Sequence, residues 1–213
     1  MSDRPVLYSF RRCPFAMRAR WAVLQAGLLV DWREIELKDK PAPMLELSPK
    51  ATVPVLALAD GTVIDESLAV MRWALDQTDP LDLCRQGSVS AQNSITRLID
   101  LNDTAFKHHL DRFKYADRYA GESKAEHQLK GLSVLRHWSR LIEELGGWLV
   151  DSSCSLADGA LWPFVRQWRI ADPDGFDADM DRQHLEKLIA KYDHADQPYL
   201  PEPSPHYRPA YSD

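Results

Sequence analysis

The hydrophobic pattern changes period once along the chain, and that change limits the folds open to it. Up to about residue 80, short apolar runs alternate with helical stretches; from about residue 88 every apolar pattern repeats at helical spacing. Val6-Leu7-Tyr8-Ser9-Phe10 predicts a first strand. Ala19, Ala22, Val23 and Ala26 fall at i, i+3, i+4 and i+7 on a first helix, which Gly27 ends. A mixed run over 30–37, a short helix over 42–47 and a buried run over 53–59 follow. Asp60-Gly61 reads as a two-residue hairpin turn with 62–64 as the return strand. Residues 66–77 read as a helix ended near Asp79-Pro80. The order βαβαββα describes a small α/β layer.

Beyond it, Ile95, Leu98, Ile99, Phe106, Leu110 and Phe113 form one stripe on a long helix. Leu129, Leu132, Leu135, Leu141, Ile142 and Leu145 form a second, closed by Gly146-Gly147. Ala157, Ala160, Leu161, Phe164, Val165 and Trp168 mark a third, and Leu185, Leu188, Ile189 and Tyr192 a fourth. The expected organisation is α/β plus all-α: a domain over 1–80, a linker over 81–88, an all-helical bundle over 89–196 and a Pro-rich tail over 197–213. Pro198, Pro201, Pro203, Pro205 and Pro209 exclude regular helix from that tail, leaving it disordered or laid over the body in extended form. Ser155 caps the third helix while Asp158 reaches back to it, a capping box with Asp in place of Glu. Its role is folding.

With 213 residues, 45% apolar and 27% charged, the composition is that of an ordinary soluble protein. No run approaches the roughly 18 apolar residues of a transmembrane helix, and Arg4-Pro5 leading into a strand is no signal peptide. Three cysteines, Cys13, Cys84 and Cys154, have no metal-ligand spacing and suit a reducing cytoplasm, the expected location. The net charge of −6 argues against nucleic acid as a partner.

The chemistry concentrates at Cys13. Pro14 suits the first helical position. Cys13 is then the cap, with its sulfur expected to face unpaired N–H groups and the positive end of the helix dipole. Cysteines so placed have pKa values of roughly 3.5–7.5, against about 8.5 when free. Arg4, Arg11, Arg12, Arg18 and Arg20 against Asp3 alone add a local positive field, although each arginine taken singly reads as a solvated residue. Where dithiol redox proteins carry a second cysteine stands Ala16, so the sulfur must exchange with an outside thiol. The plainer alternative is a small buried cysteine.

Cys13-Pro14-Phe15-Ala16-x-Arg18-x-Arg20, Thr52-Val53-Pro54-Val55, Asp65-Glu66-Ser67 and the Ser155–Asp158 cap together resemble the cytosolic glutathione transferases, closest to their omega-like, cysteine-type members. The resemblance implies a thioredoxin-like N-terminal domain, glutathione as co-substrate, a homodimer, and no membrane partner. It implies a cis Pro54 that turns the Val53 main chain toward the cysteinyl backbone of glutathione. It also implies Glu66 and Ser67 as the γ-glutamyl site, Pro14 and Phe15 beside the thiol, and Lys40, with Lys38 close by, near the glycyl carboxylate. The implied reaction is thiol–disulfide exchange at Cys13, as in the reduction of glutathione mixed disulfides, S-glutathionyl compounds or dehydroascorbate.

Alternatives stay open. Ser9 or Tyr8 could support conjugation of glutathione to electrophiles. The fold also serves non-catalytic binding proteins, some contacting RNA polymerase, and chloride-channel-like relatives. The second substrate, a small disulfide or electrophile, is expected between the domains, with Phe106, His109, Phe113, Trp162 and Arg166 as candidates. His108-His109 suggests a metal pair, but adjacent helical residues point about 100° apart, so no metal site is expected.

Overall fold

The structure, a computed structural model, describes residues 4–179 and the pair 208–209. The chain forms two compact units, one running to Leu81 and joined by the Arg208–Pro209 strand, the other beginning at Asp82.

The first unit follows the expected order: β1 (Val6–Ser9), α1 (Pro14–Gln25), β2 (Asp31–Glu34), α2 (Ala42–Leu47), β3 (Val55–Ala57), β4 (Val63–Ile64) and α3 (Ser67–Gln77). The sheet order is β4-β3-β1-β2-β5, where β5 is Arg208–Pro209. β1 runs parallel to β2, with Leu7 opposite Trp32, and antiparallel to β3, with Leu7 opposite Leu56. This central strand is hydrogen-bonded on both sides, and Leu7, Val55 and Leu56 are fully buried. Each such side chain contributes roughly 1.5–3 kcal/mol of burial. β5 adds parallel to β2 with Arg33 opposite Arg208, so this pair within the tail is extended. The rest of the tail lies outside the described residues.

α1 packs on α3. The predicted face of Ala19, Ala22, Val23 and Ala26 is buried, as are Val70, Met71, Ala74 and Leu75 of α3. α1 ends in a Schellman motif: Leu28 N–H donates to Val23 C=O and Gly27 N–H to Leu24 C=O, both at 3.0 Å, with Gly27 at φ 64°. The β3–β4 connection corrects the two-residue hairpin. Gly61 N–H bonds Leu58 C=O at 3.0 Å, and Leu58 N–H bonds Thr62 C=O at 2.8 Å. The loop is therefore three residues, Ala59 to Gly61, and ends on Gly61 at φ 88°. A type I turn needs that left-handed residue to rejoin the strand twist.

The second unit is helical: α4 (Val89–Leu101), α5 (Lys107–Lys114), α6 (Lys124–Glu144), α7 (Leu156–Ala171) and the short α8 (Pro173–Asp179). The long helix of the first stripe exists, but a π-helical turn over Asn102–Phe106 joins its α4 and α5 halves. That stripe and the α7 stripe are buried throughout. The α6 stripe needs correction. Leu129 is 66% exposed, and the buried face is His127, Gly131, Leu132, Leu135, Trp138 and Ile142. The stripe over 185–192 lies outside the described residues.

Residues 82–88, expected as linker, are built into the second unit. Leu83 is fully buried, and its carbonyl accepts from Leu156 N–H at 2.8 Å. Buried Arg85 forms a bidentate pair with Asp151, at 2.8 and 2.9 Å, and also donates to the carbonyls of Ser153 and Cys154. The guanidinium holds the Asp151 carboxyl far below the usual carboxylate range.

Candidate functional site

The β1–α1 loop carries Cys13, and its shape is set from below. Cys13 N–H bonds Phe10 C=O at 3.0 Å, closing the turn out of the strand. Arg20, on the following helix, points back under the loop, donating to Ser9 Oγ, to Phe10 C=O at 3.2 Å and to Arg11 C=O at 2.9 Å. Arg18 and Arg20 are fully and almost fully buried, which overturns their reading as solvated residues. The fork of Arg20 replaces the water its charge would otherwise need with three oxygens of one loop. Glu34 Oε1 accepts the Arg11 N–H. Burial raises the Glu34 carboxyl, and the Arg11 N–H and the Arg20 and Arg11 charges pull it back.

Cys13 is the N-cap of α1 with Pro14 at the first helical position, as expected, but its side chain makes no capping hydrogen bond. Sγ lies 3.7 Å from Val53 C=O instead. A thiol donates to that carbonyl, whereas a thiolate is repelled by it and is better served by the amide end of α1. The sulfur is half-buried against a cluster of Tyr8, Ala16, Ile35, Met44, Val53 and Val55. The Val53–Pro54 peptide is cis.

Glu66 is the N-cap of α3 and Ser67 its first residue; no side chain caps this helix. Ser67 is buried, while the Glu66 side chain is 71% exposed. Lys50, which sequence reasoning missed, bonds Glu66 at 2.6 Å and Asp65 at 3.2 Å. Asp65 is further fixed by the Ser48 hydroxyl at 2.9 Å, which, with Lys50, holds its carboxyl below the usual range. Lys50 precedes the cis-proline loop, and only the folded turn brings it to Glu66, so spacing gave no signal. Phe15 carries the Arg18 guanidinium over its ring at 5.7 Å. Lys40 is half-buried and Lys38 exposed before α2. The structure thus joins Cys13 to Val53 directly, and sets Lys50 against the acidic start of α3.

Tyr8 and Ser9 are committed elsewhere. Tyr8 is in the core cluster, and burial raises its phenol above the ordinary value. Ser9 is 1% exposed and accepts from Arg20.

In the second unit, Phe106, Phe113 and Trp162, expected as candidates for the second-substrate site, are buried. Phe106 meets Trp138 edge-on at 4.8 Å, and Phe113 stacks on Trp168 at 4.7 Å. Arg166 is half-buried. His109 joins a histidine cluster with His108 and His127. The capping box is present. The buried Asp158 carboxylate accepts from Ser155 N–H at 2.8 Å, Ser155 Oγ at 2.6 Å and Leu149 N–H at 3.0 Å.

Among the described residues no helix is long and apolar enough to cross a membrane. Residues 7–82 match the family described as glutathione S-transferase, N-terminal domain. The chain is similar to glutathione S-transferase omega-1 of Mus musculus, 35% identical over 74 residues, which are 35% of this chain and 30% of that protein. The match spans about a third of that relative's length. In fold it is similar to glutathione transferase Omega 3C from Trametes versicolor, with a TM-score of 0.77 at 19% identity over 93% of this chain and 89% of the other. It is likewise similar to a glutathione S-transferase from Methylobacillus flagellatus with glutathione bound, with a TM-score of 0.76 at 21% identity over 90% and 96%.

Proposed function

We propose that this chain, whose residues 7–82 match the glutathione S-transferase N-terminal domain family and which is similar in fold to glutathione transferases, is an omega-like, glutathione-dependent thiol transferase working through Cys13. The observation that carries the proposal is the placement of Cys13 Sγ at the mouth of α1, 3.7 Å from the main chain of Val53 beside the cis proline.

In this reading the γ-glutamyl ammonium of glutathione takes Glu66, displacing Lys50, and its carboxylate takes Ser67 and the uncapped N–H groups of α3. The Val53 main chain pairs with the cysteinyl backbone. Pro14 and Phe15 flank the sulfur, and Lys40 meets the glycyl carboxylate. The Cys13 thiolate attacks the glutathionyl sulfur of a mixed disulfide G–S–S–R. The S–S bond breaks, R–S⁻ leaves and takes a proton, and Cys13–S–S–G remains. The thiolate of a second glutathione attacks the glutathionyl sulfur, restoring Cys13–S⁻ and releasing GSSG. Ala16 at the fourth position of the motif favours this one-cysteine cycle. Conjugation through Ser9 is disfavoured because its oxygen is buried and held by Arg20. The proposal extends to a cytoplasmic homodimer with a small disulfide as second substrate.

The test compares wild type, Cys13→Ala and Cys13→Ser in a glutathione-coupled disulfide reduction assay and in a conjugation assay. Both variants are expected to lose reduction, and the serine variant to gain conjugation, since a hydroxyl holds a glutathione thiolate without trapping it as a disulfide. Reduction at the wild-type rate in Cys13→Ala would overturn the mechanism. Failure of all three to bind glutathione-agarose would favour a non-catalytic binding protein.

A further inference from the structure

We propose that His108, His109 and His127 form a binding site for a divalent cation of the zinc type. For the histidines, the expectation of no metal considered only the adjacent pair His108-His109. The fold supplies the missing ligand, since α6 brings His127 against the two histidines of α5. The three ring centroids are 5.0, 5.5 and 5.2 Å apart, close to an equilateral triangle. Three imidazoles on a tetrahedral ion with Zn–N near 2.0–2.1 Å place their centroids about 5.2 Å apart. One nitrogen from each ring lies within 4.8 Å of the others. The exposed ring of His108 can swing in to bring these to ligand spacing.

The tautomers suit the role. His127 Nε2 lies 2.9 Å from Glu122 Oε2, an oxygen that also accepts from Arg112 Nε at 2.7 Å. The carboxylate keeps the proton on Nε2, so the Nδ1 lone pair of buried His127 faces Nδ1 of His109 at 2.9 Å. Two ring nitrogens this close share either a proton or an ion. A carboxylate behind a histidine is the device that orients metal-binding imidazoles. The flanking cations Arg112 and Lys130 are each paired with a carboxylate, Glu122 and Glu126, so they do not leave a net positive charge against an incoming ion. Three imidazoles select zinc, cobalt, nickel or copper over calcium or magnesium. Solvent reaches His108, so water takes the fourth position.

The site stands independently of Cys13, and the test keeps the two apart. Chelator-treated full-length protein is titrated with Co²⁺ at pH 7.5 and followed by its visible d–d absorption. One ion per chain is expected, without the near-ultraviolet sulfur-to-cobalt band that a cysteine ligand would give. His109→Asn and His127→Asn should each weaken binding at least tenfold. Glu122→Gln, a positioning residue, should weaken it about tenfold or more. His108→Asn, at an exposed position, decides the matter if His127→Asn fails to fold. Unchanged affinity in His108→Asn and His109→Asn, a sulfur charge-transfer band, or no saturable Co²⁺ binding would each overturn the proposal.

Discussion

Arg20 carries the largest difference between how a residue reads and what it does. Along the sequence it is one more charge on an early helix; in the fold it is buried, with three oxygens of the β1–α1 loop as partners. Lysine cannot reproduce that fork. Arg20→Lys should therefore lower stability by about 1.5–3 kcal/mol, the worth of charged hydrogen bonds left unmade, and slow alkylation of Cys13 by iodoacetamide as the loop loosens. Denaturant melts and thiol-labelling rates measure the two effects. Glu66 differs in kind, because its exposed carboxylate meets only Lys50 among the contacts described above. Glu66→Gln should raise the KM for glutathione about five- to tenfold with little change in kcat, as expected for loss of uniform binding screened by solvent. Steady-state kinetics at fixed disulfide would read this directly.

Among the elements, α6 shows how tertiary packing reverses a local preference. Replacing glycine by alanine inside a helix ordinarily gains about 1 kcal/mol. At Gly131 a Cβ would sit 2.1 Å from the ring of Trp168, which is itself fully buried on α7. Gly131→Ala should instead destabilise by about 1–3 kcal/mol or more through overpacking, seen as a lowered thermal midpoint. The same packing explains the misread stripe. A helix face is chosen by its partner, and Gly131 with Trp138 and His127 makes a better seat for α7 and α5 than Leu129 does. α1 needed no such partner to be recognised. Its small apolar face, Pro14 and Gly27 are local signals, and the Schellman bonds confirm where it stops.

At the scale of the molecule, each unit is tied by an ionised carboxylate that bridges distant segments. Arg85 and Asp151 join the start of the second unit to the loop before α7, and Asp65 joins Ser48 and Lys50 to the start of α3. Both carboxyls are held below their ordinary values. Their stabilisation is thus complete above the unfolded aspartate pKa of about 3.9 and is lost as pH falls toward the depressed folded values. Asp158 opposes this, because burial raises its pKa and its ionisation costs stability as pH rises. Asp151→Asn should lower stability near neutrality by about 1 kcal/mol, the pair being partly open to water. It should also flatten the loss of thermal midpoint between about pH 4 and pH 2. An acid arm as steep as that of wild type would show that the Asp151 pair contributes nothing.

The division into an α/β part and a helical part, the element order, the Cys13–Pro14 helix start and the capping box were all readable from residue order, because each depends on neighbours within a turn or two. Where Sγ points, which arginines are buried, Lys50 against Glu66, and the meeting of His127 with His108 and His109 were not readable. Each of these depends on residues far apart in the chain, and only the packing of elements within each unit sets the distances between them.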